Sequence, residues 1–263
     1  MPDGGRDPVT IGGVDGLGRG DGPIFAVIGV FDGIHRGHQY LLRHLDLQAE
    51  AHRARPTVIT FDAHPDEVIL GAAPPLLLDP EERLRLLGEA GVEVVVVQHF
   101  DAALRATEYD AFLERITART RLAGLLMTPD AAFGHDRRGT PETVAALGAS
   151  QGFDLVVRPP FLIDGRPVRS SDIRAAIAAG DLAEAERLLG RPHAVTGIVD
   201  DAGRVSFAMP VALPQAGSHR VFVSAAAGGG DGQPATLTVD AAGWTLDPAP
   251  PAGGPVRITF GAG

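Results

Sequence analysis

Two histidines, three residues apart behind a glycine-bearing turn, are the strongest chemical signal in this chain: Ile24 to Leu42 reads I-F-A-V-I-G-V-F-D-G-I-H-R-G-H-Q-Y-L-L. Residues i and i+3 of a helix share a face, so His35 and His38 would point at one ligand. Their imidazole N–H groups can donate to charge developing on a phosphoryl oxygen. Gly29 and Gly33 let the chain turn sharply. Gly37 has no Cβ, so a ligand can approach the free N–H groups of the helix start, where the peptide dipoles attract phosphate. Taken alone, H-x-G-H reads better as two histidines on a wet helix end. Its setting reverses that preference, because it follows an apolar run, opens a helix, and is joined downstream by Ser170-Ser171-Asp172-Ile173-Arg174. In that second pattern serine hydroxyls accompany the free N–H groups of another helix start, and Arg174 sits about one turn inside, with a fork suited to phosphate oxygens. The alternative is a serine N-cap followed by a surface arginine. Two helix starts, one bearing histidines and one arginine, together suit a triphosphate.

Other candidates are weaker. Phe31-Asp32-Gly33 and Phe61-Asp62-Ala63-His64-Pro65 lie just beyond expected strand ends, where sheets of this class place ligands. His64 either reaches the pocket or packs beside the loop proline, the second being preferred. Asp130 either orients a substrate or a metal-bound water, or forms a turn after Pro129. Arg137-Arg138-Gly139 is a lid over an anionic ligand or an exposed basic turn. His44, His52, His99, His193 and His219 read as surface or packing residues.

The elements that must position these residues follow from periodicity and punctuation. Residues 1–22 are rich in Gly and Asp with scattered apolar residues, which predicts a flexible tail. Strands are predicted at Ile24–Val30, Thr57–Phe61, Val92–Gln98, Gly124–Thr128 and Asp154–Val157, with helices between them. Gly37–Arg53 is the first helix; Asp79-Pro80-Glu81-Glu82 opens the next, with Gly91 after its end. Thr107-x-x-Asp110 starts a helix to about Arg121, and Thr140-Pro141-Glu142 starts one closed by Gly148. Five strands alternating with helices imply an α/β fold, a Rossmann-like doubly wound parallel sheet. Ser170 and Asp181 open two further helices, ended by Gly180 and Gly190. Beyond His193, short alternating segments such as Val221–Ser224 and Ala235–Val239 predict a small C-terminal β domain, with a mobile Ala225–Gly232 connection. The predicted organisation is therefore a tail at 1–22, a nucleotide-handling domain at 23–193 and a small β domain at 194–263.

Composition bounds the chemistry. The chain has 263 residues and a net charge of −10, with acidic residues spread along it. That argues against a broad nucleic-acid surface and leaves an anionic substrate to a local pocket. The absence of cysteine removes disulfides, thiolate nucleophiles and cysteine zinc sites. M-P-D-G-G-R-D-P does not read as a signal peptide, and no apolar stretch reaches membrane-spanning length. The expectation is a soluble cytoplasmic protein with no nucleic-acid or membrane partner.

From Ile24 to Thr196 the chain resembles the adenylyltransferase module of bacterial bifunctional riboflavin kinase/FAD synthetases, within the H-x-G-H nucleotidylyltransferase superfamily. The resemblance rests on G-V-F-D-G-I-H-R-G-H-Q-Y-L-L, T-F-D-A-H-P, the A-F-G-H-D-R-R-G loop around Phe133, and S-S-D-I-R followed by L-L-G-R-P-H-A-V-T-G. It implies ATP and FMN as substrates, Mg²⁺ entering with ATP, and FAD and pyrophosphate as products. His35, Gly37 and His38 would contact ATP phosphates, Ser170, Ser171 and Arg174 would act at the triphosphate, and Asp130 would stand at the family's active-site Asp or Asn. Gly29, Phe31, Asp32, Gly33, Phe61, His64 and Phe133 complete the implied binding set, without a protein-ligated metal.

The chain departs from the family in four places. Thr128 and Ala131 replace a glycine and an aromatic residue of a motif that runs approximately V-G-E-D-F-R-F-G. Arg169 and Ser171 replace a serine and a threonine of I-S-S-T-R-I-R, and Ala63 replaces a proline. Between Val199 and Pro214 nothing supplies the G-x-P-T-A-N motif of riboflavin kinases. The last domain therefore reads as a reduced kinase-like remnant without kinase activity. Transfer to another phosphorylated acceptor, or from another nucleotide, is the second reading, and a non-catalytic flavin- or nucleotide-binding protein the third.

Overall fold

The apolar runs of the first two-thirds of the chain pair side by side in a computed structural model that describes residues 7–226, 232–241, 243–250 and 254–261. In chain order the elements are β1 (Val9–Gly12), β2 (Ile24–Ile28), α1 (Arg36–Ala51), β3 (Arg55–Phe61), α2 (Pro65–Leu70), α3 (Pro80–Glu89), β4 (Val94–Gln98), α4 (Ala102–Arg105), α5 (Tyr109–Thr117), β5 (Leu122–Met127), α6 (Pro141–Gln151) and β6 (Asp154–Val157). The strands lie in the order β1-β4-β3-β2-β5-β6, and all pair in parallel. Central strands covered on both faces need near-continuous apolar sequence, which is why Ile24–Val27, Val94–Val96 and Leu122–Met127 are buried along their length. From β2 the chain winds outward through β3 to β4, then returns to the other side of β2 for β5 and β6. This reversal opens a crevice at the carboxyl ends of β2 and β5, the place where open α/β sheets bind ligands.

The sheet has one strand more than the sequence pattern suggests. Val9–Gly12, within the segment expected to be a flexible tail, pairs with Val94–Val97 of β4. The reason lies in spacing: Ile11, Val14 and Leu17 recur every third residue and pack on the sheet core. Burying Val14 and Leu17 is worth about 1.5–3 kcal/mol each. The Gln98 side chain accepts from the Val14 N–H at 3.0 Å, and Arg115 pairs with Asp15 at 2.5 Å. Residues 1–6 lie outside the described residues. A second difference concerns α6, which runs past Gly148 and ends on the left-handed Gly152. Gly148 has a packing role instead, since a Cβ there would meet the Phe153 carbonyl at 2.5 Å.

Then follow a hairpin of β7 (Leu162–Ile163) and β8 (Arg166–Pro167), helices α7 (Ser170–Ala178) and α8 (Leu182–Leu189), and strands β9 (Ala194–Val199), β10 (Arg204–Ser206), β11 (Gly217–Ala225), β12 (Gln233–Asp240), β13 (Gly243–Asp247) and β14 (Pro255–Phe260). The last six close into an antiparallel barrel, β10-β13-β12-β11-β14-β9. Its interior is filled by Val195, Val205, Val221, Val223, Leu237 and Ile258 among others. Residues 227–231, within the Ala225–Gly232 connection expected to be mobile, lie outside the described residues. The chain divides into two compact units, one of residues 1–74 and 80–167, the other of 75–79 and 168–263. The boundary thus falls before α7, not at 194. Residues 75–79 join the second unit because Leu76 bonds both Pro210 and Ala212 and Asp79 accepts from Thr196 at 2.6 Å.

His193 leads into this barrel and is a packing residue. Its ring is 2 % exposed, stacks on Phe260 and lies with Nε2 2.8 Å from the Ala212 carbonyl, to which it donates. Burial pushes its pKa down from 6.5 to about 4, against the Ala212 bond. Between those values the unfolded chain binds a proton that the folded chain does not, so stability is complete above pH 6.5 and falls as pH falls towards 4. The loss from this group reaches ~2 kcal/mol by pH 5. Urea unfolding at pH 7 and pH 5 should show a fall in wild type that shrinks by about that amount in His193→Gln. Equal slopes in the two proteins would contradict the assignment.

Candidate functional site

The loop from β2 to α1 is built under backbone strain. Phe31 (φ 53°), Gly33 (φ 91°) and Ile34 (φ 38°) all take left-handed conformations. For the two non-glycine residues this costs about 1–3 kcal/mol each, offset by burial of both side chains. Gly29 is needed for close approach, because a Cβ there would lie 3.1 Å from the Phe31 ring. Asp32 is buried at the tip. The loop delivers His35 to the N-cap of α1, where its Nδ1 accepts from the His38 N–H at 3.2 Å. A ring nitrogen that accepts is unprotonated, so the neutral His35 carries its proton on Nε2. The His35 and His38 rings stack with centroids 3.7 Å apart and planes 17° apart, and Phe31 supports His38 at 5.0 Å. Gly37 lies in the first turn of the helix.

The loop after β3 is locked by hydrogen bonds. Asp62 accepts from the N–H groups of Ala63 at 2.8 Å and Phe100 at 3.1 Å and meets His99 at 2.6 Å. Burial pushes the Asp62 pKa up, but the His99 bond and the two backbone donors outweigh it and hold the carboxyl below its usual range. The same contact raises the pKa of His99. His64 caps α2, its Nδ1 accepting from the Asp66 N–H at 3.2 Å. It thereby serves the helix start.

Sequence reasoning missed Arg83. From α3 its guanidinium donates to the Val30 carbonyl at 3.3 Å and the Phe61 carbonyl at 3.0 Å, tying together the loops that leave β2 and β3. Thr60 Oγ1 also donates to Val30, at 3.0 Å. Burial lowers the Arg83 pKa, with the charges of Asp32 and Asp62 acting in the opposite sense. The available signal was its place four residues before the buried Leu87, on the inward face of an otherwise charged helix.

Two cavities open beside these loops. One of about 220 Å³ lies at the sheet's reversal point, between Val27–Ile28 of β2, Leu125–Met127 of β5 and Leu41 of α1. The other, of about 660 Å³, is walled by apolar side chains including Phe61, Ile69, Phe100, Leu104 and Phe112, with Gly29 and Val30 at one edge. Ile28, Ala132, Phe133 and Arg137 line both. The loop after β5 that supplies the last three is fixed: Phe133 pairs with Gly139, the His135 N–H donates to Thr107 at 2.8 Å, and a Cβ on Gly134 would lie 2.6 Å from the Tyr109 nitrogen. Asp130 accepts from Thr128 Oγ1 at 2.8 Å.

Of the residues singled out in the sequence, Gly29, Phe61 and Phe133 line the larger cavity. Phe31, Asp32, Gly33, His35, Gly37 and His38 form the adjoining loop and helix start, outside both cavity walls. Asp130 stands between Thr128 and Ala131, which line the smaller cavity. Ser170, Ser171 and Arg174 belong to the second unit. There Arg169 occupies the N-cap of α7, so Ser170 opens the helix without capping it. Arg174 Nε donates to the Pro75 carbonyl at 2.7 Å, and Ser171 lies 3.5 Å from Asp172. Among the described residues no group of three or more His, Cys, Asp or Glu is placed to hold a metal, and no helix is long and apolar enough to cross a membrane.

Residues 17–172 match the model of a family described as FAD synthetase. The bifunctional riboflavin kinase/FMN adenylyltransferase of Haemophilus influenzae is 34% identical over 174 residues, which is 65% of this chain and 56% of that protein. Its counterpart in Escherichia coli K12 is 34% identical over 182 residues, 67% of this chain and 58% of that one. The matched region therefore spans little more than half the length of these relatives. A solved structure titled macrolide-efflux protein, from Streptococcus pneumoniae, superposes with a TM-score of 0.84 at 24% identity, covering 96% of this chain and 98% of that one. That likeness is one of fold.

Proposed function

Since the chain belongs to the FAD synthetase family, we propose that it transfers AMP from ATP to FMN, releasing pyrophosphate and forming FAD. The observation that carries this reading is the stacked His35–His38 pair at the start of α1, next to cavities at the reversal point of the sheet. An FMN phosphate oxygen attacks the α-phosphorus in line; the bond to the β-phosphate oxygen breaks and its electron pair leaves with pyrophosphate. No covalent enzyme intermediate is needed, so catalysis rests on positioning and on donors aimed at the developing charge. The larger apolar cavity suits the flavin ring and the smaller one a purine.

Mg²⁺ would arrive on the ATP phosphates and keep most of its ligands as phosphate and water, where it would neutralise phosphate charge. A cytoplasmic setting agrees with ATP and FMN as substrates. Riboflavin kinase activity is not part of the proposal, because the second unit lacks the G-x-P-T-A-N segment. A second reading keeps nucleotidyl transfer but changes the nucleotide; it is favoured by Thr128 and Ala131, which line the smaller cavity, the one given to the purine, where the family motif is altered.

The test is pyrophosphate release with Mg²⁺ from a panel of nucleoside triphosphates, ATP first, with FMN, riboflavin or other phosphorylated acceptors. Release with FMN and none with riboflavin is expected. Turnover with another nucleoside triphosphate and not with ATP would establish the second reading, and FMN formed from riboflavin would refute the absence of kinase activity.

A further inference from the structure

We infer that Arg137 grips the phosphate of the acceptor and so makes the site select a flavin mononucleotide over the unphosphorylated flavin. This rests on the FMN reading above. Adenylyl transfer requires the acceptor phosphate to meet the donor nucleotide where their two cavities adjoin. Four side chains line both cavities: Ile28, Ala132, Phe133 and Arg137. Three are apolar, and the fourth is a guanidinium with a planar fork of donors that matches phosphate oxygens.

The surroundings of Arg137 keep those donors available. Its neighbour Arg138 is engaged with Glu108 at 3.5 Å and Asp136 at 3.7 Å. Among the described residues no carboxylate lies within ion-pair distance of Arg137, whose protein partner is the Asp130 carbonyl at a long 3.4 Å. The residue is exposed, so it is neither a core group nor half of a buried pair. Its backbone is nonetheless specified: Asp136 (φ 51°) and Arg137 (φ 57°) are both left-handed, an unfavourable conformation that the anchored Phe133–Gly139 loop maintains. The residues just before it, Gly134, His135 and Asp136, line the larger cavity and not the smaller. That side of the loop faces the space assigned to the flavin, which places the guanidinium with the acceptor phosphate.

The full chain should be titrated with FMN and with riboflavin, following flavin fluorescence, as wild type, Arg137→Ala and Arg137→Lys. Wild type should bind FMN more tightly than riboflavin. Arg137→Ala should weaken FMN about 10- to 100-fold, the range for a lost charged hydrogen bond, with riboflavin affinity and KM for ATP within about twofold. Arg137→Lys should lie between, because a single ammonium keeps the charge and loses the fork. Equal weakening of both flavins would show a loop effect and overturn the inference. So would FMN affinity unchanged in Arg137→Ala, or a rise in KM for ATP instead. Wild type that binds neither flavin would remove the FMN reading itself, an outcome distinct from FMN binding that ignores Arg137.

Discussion

Replacing His38 with alanine is expected to lower kcat a hundredfold or more while leaving KM for ATP nearly unchanged. A donor aimed at charge that appears on the α-phosphate only as the bond to pyrophosphate breaks is stronger in the transition state than in bound substrate. Its removal therefore falls on kcat. Losing one such donor costs on the order of 3 kcal/mol. The structure adds a control that the sequence did not suggest. His35 does two jobs, capping α1 through Nδ1 and presenting Nε2–H, whereas the backbone N–H of His38 is the capped group. His35→Ala should lose the cap, about 1 kcal/mol of stability, together with the donor. His38→Ala should leave the cap intact and change activity with little change in melting temperature. Steady-state kinetics with thermal melts separates the two. A His38→Ala enzyme that turns over normally at saturating ATP but binds ATP poorly would make the histidine a ground-state clamp.

The sheet was legible because its strands are buried on both faces, so Ile24–Val30 and Val92–Gln98 stand out as apolar runs between glycines and prolines. β1 was not, because an edge strand of four residues next to Gly and Asp carries too little apolar sequence to show a period. Only Val14 and Leu17 beyond it reveal, once the fold is known, what holds the segment down. The C-terminal barrel was legible as β structure but not as a closed ring, since closure depends on β9 pairing with β14 and β10 with β13 across long sequence separations. The unit boundary was hidden for the same reason: residues 75–79 join the second unit through hydrogen bonds to Pro210, Ala212 and Thr196.

Within the site, motifs whose chemistry is local to the chain were readable. H-x-G-H declared a helix start with two imidazoles because cap, glycine and histidines lie within four residues. Residues whose role is to join separate loops were not. Arg83 lies in a charged helix, P-E-E-R-L-R-L-L, where arginine is ordinary, and its importance comes from two carbonyls 53 and 22 residues away. His99 was passed over in the same way, although it is the side-chain partner of Asp62.

Arg83 also gives the largest expected effect on stability. In Arg83→Met the Phe61 carbonyl loses its side-chain donor and the Val30 carbonyl keeps only Thr60. A buried polar group left unsatisfied costs about 1–3 kcal/mol, and buried Asp32 loses a neighbouring positive charge that offset its desolvation. Together these predict a loss of about 3 kcal/mol in urea unfolding, with activity falling even at temperatures where the variant is fully folded, because the strained loop that carries His35 begins at Val30. Arg83→Lys retains the charge near Asp32 and Asp62, but one ammonium on a flexible stem cannot hold two carbonyls in a fixed fork. It should recover about half of the lost stability and less of the activity, since charge compensation needs only proximity whereas loop placement needs both bonds. The informative quantity is the ratio of the two recoveries. Should Arg83→Lys restore activity in full while remaining destabilised, the guanidinium fork would not be setting the loop, and the charge alone would account for the arginine. Should Arg83→Met unfold within about 0.5 kcal/mol of wild type, the two carbonyl bonds would carry no net weight in the folded state.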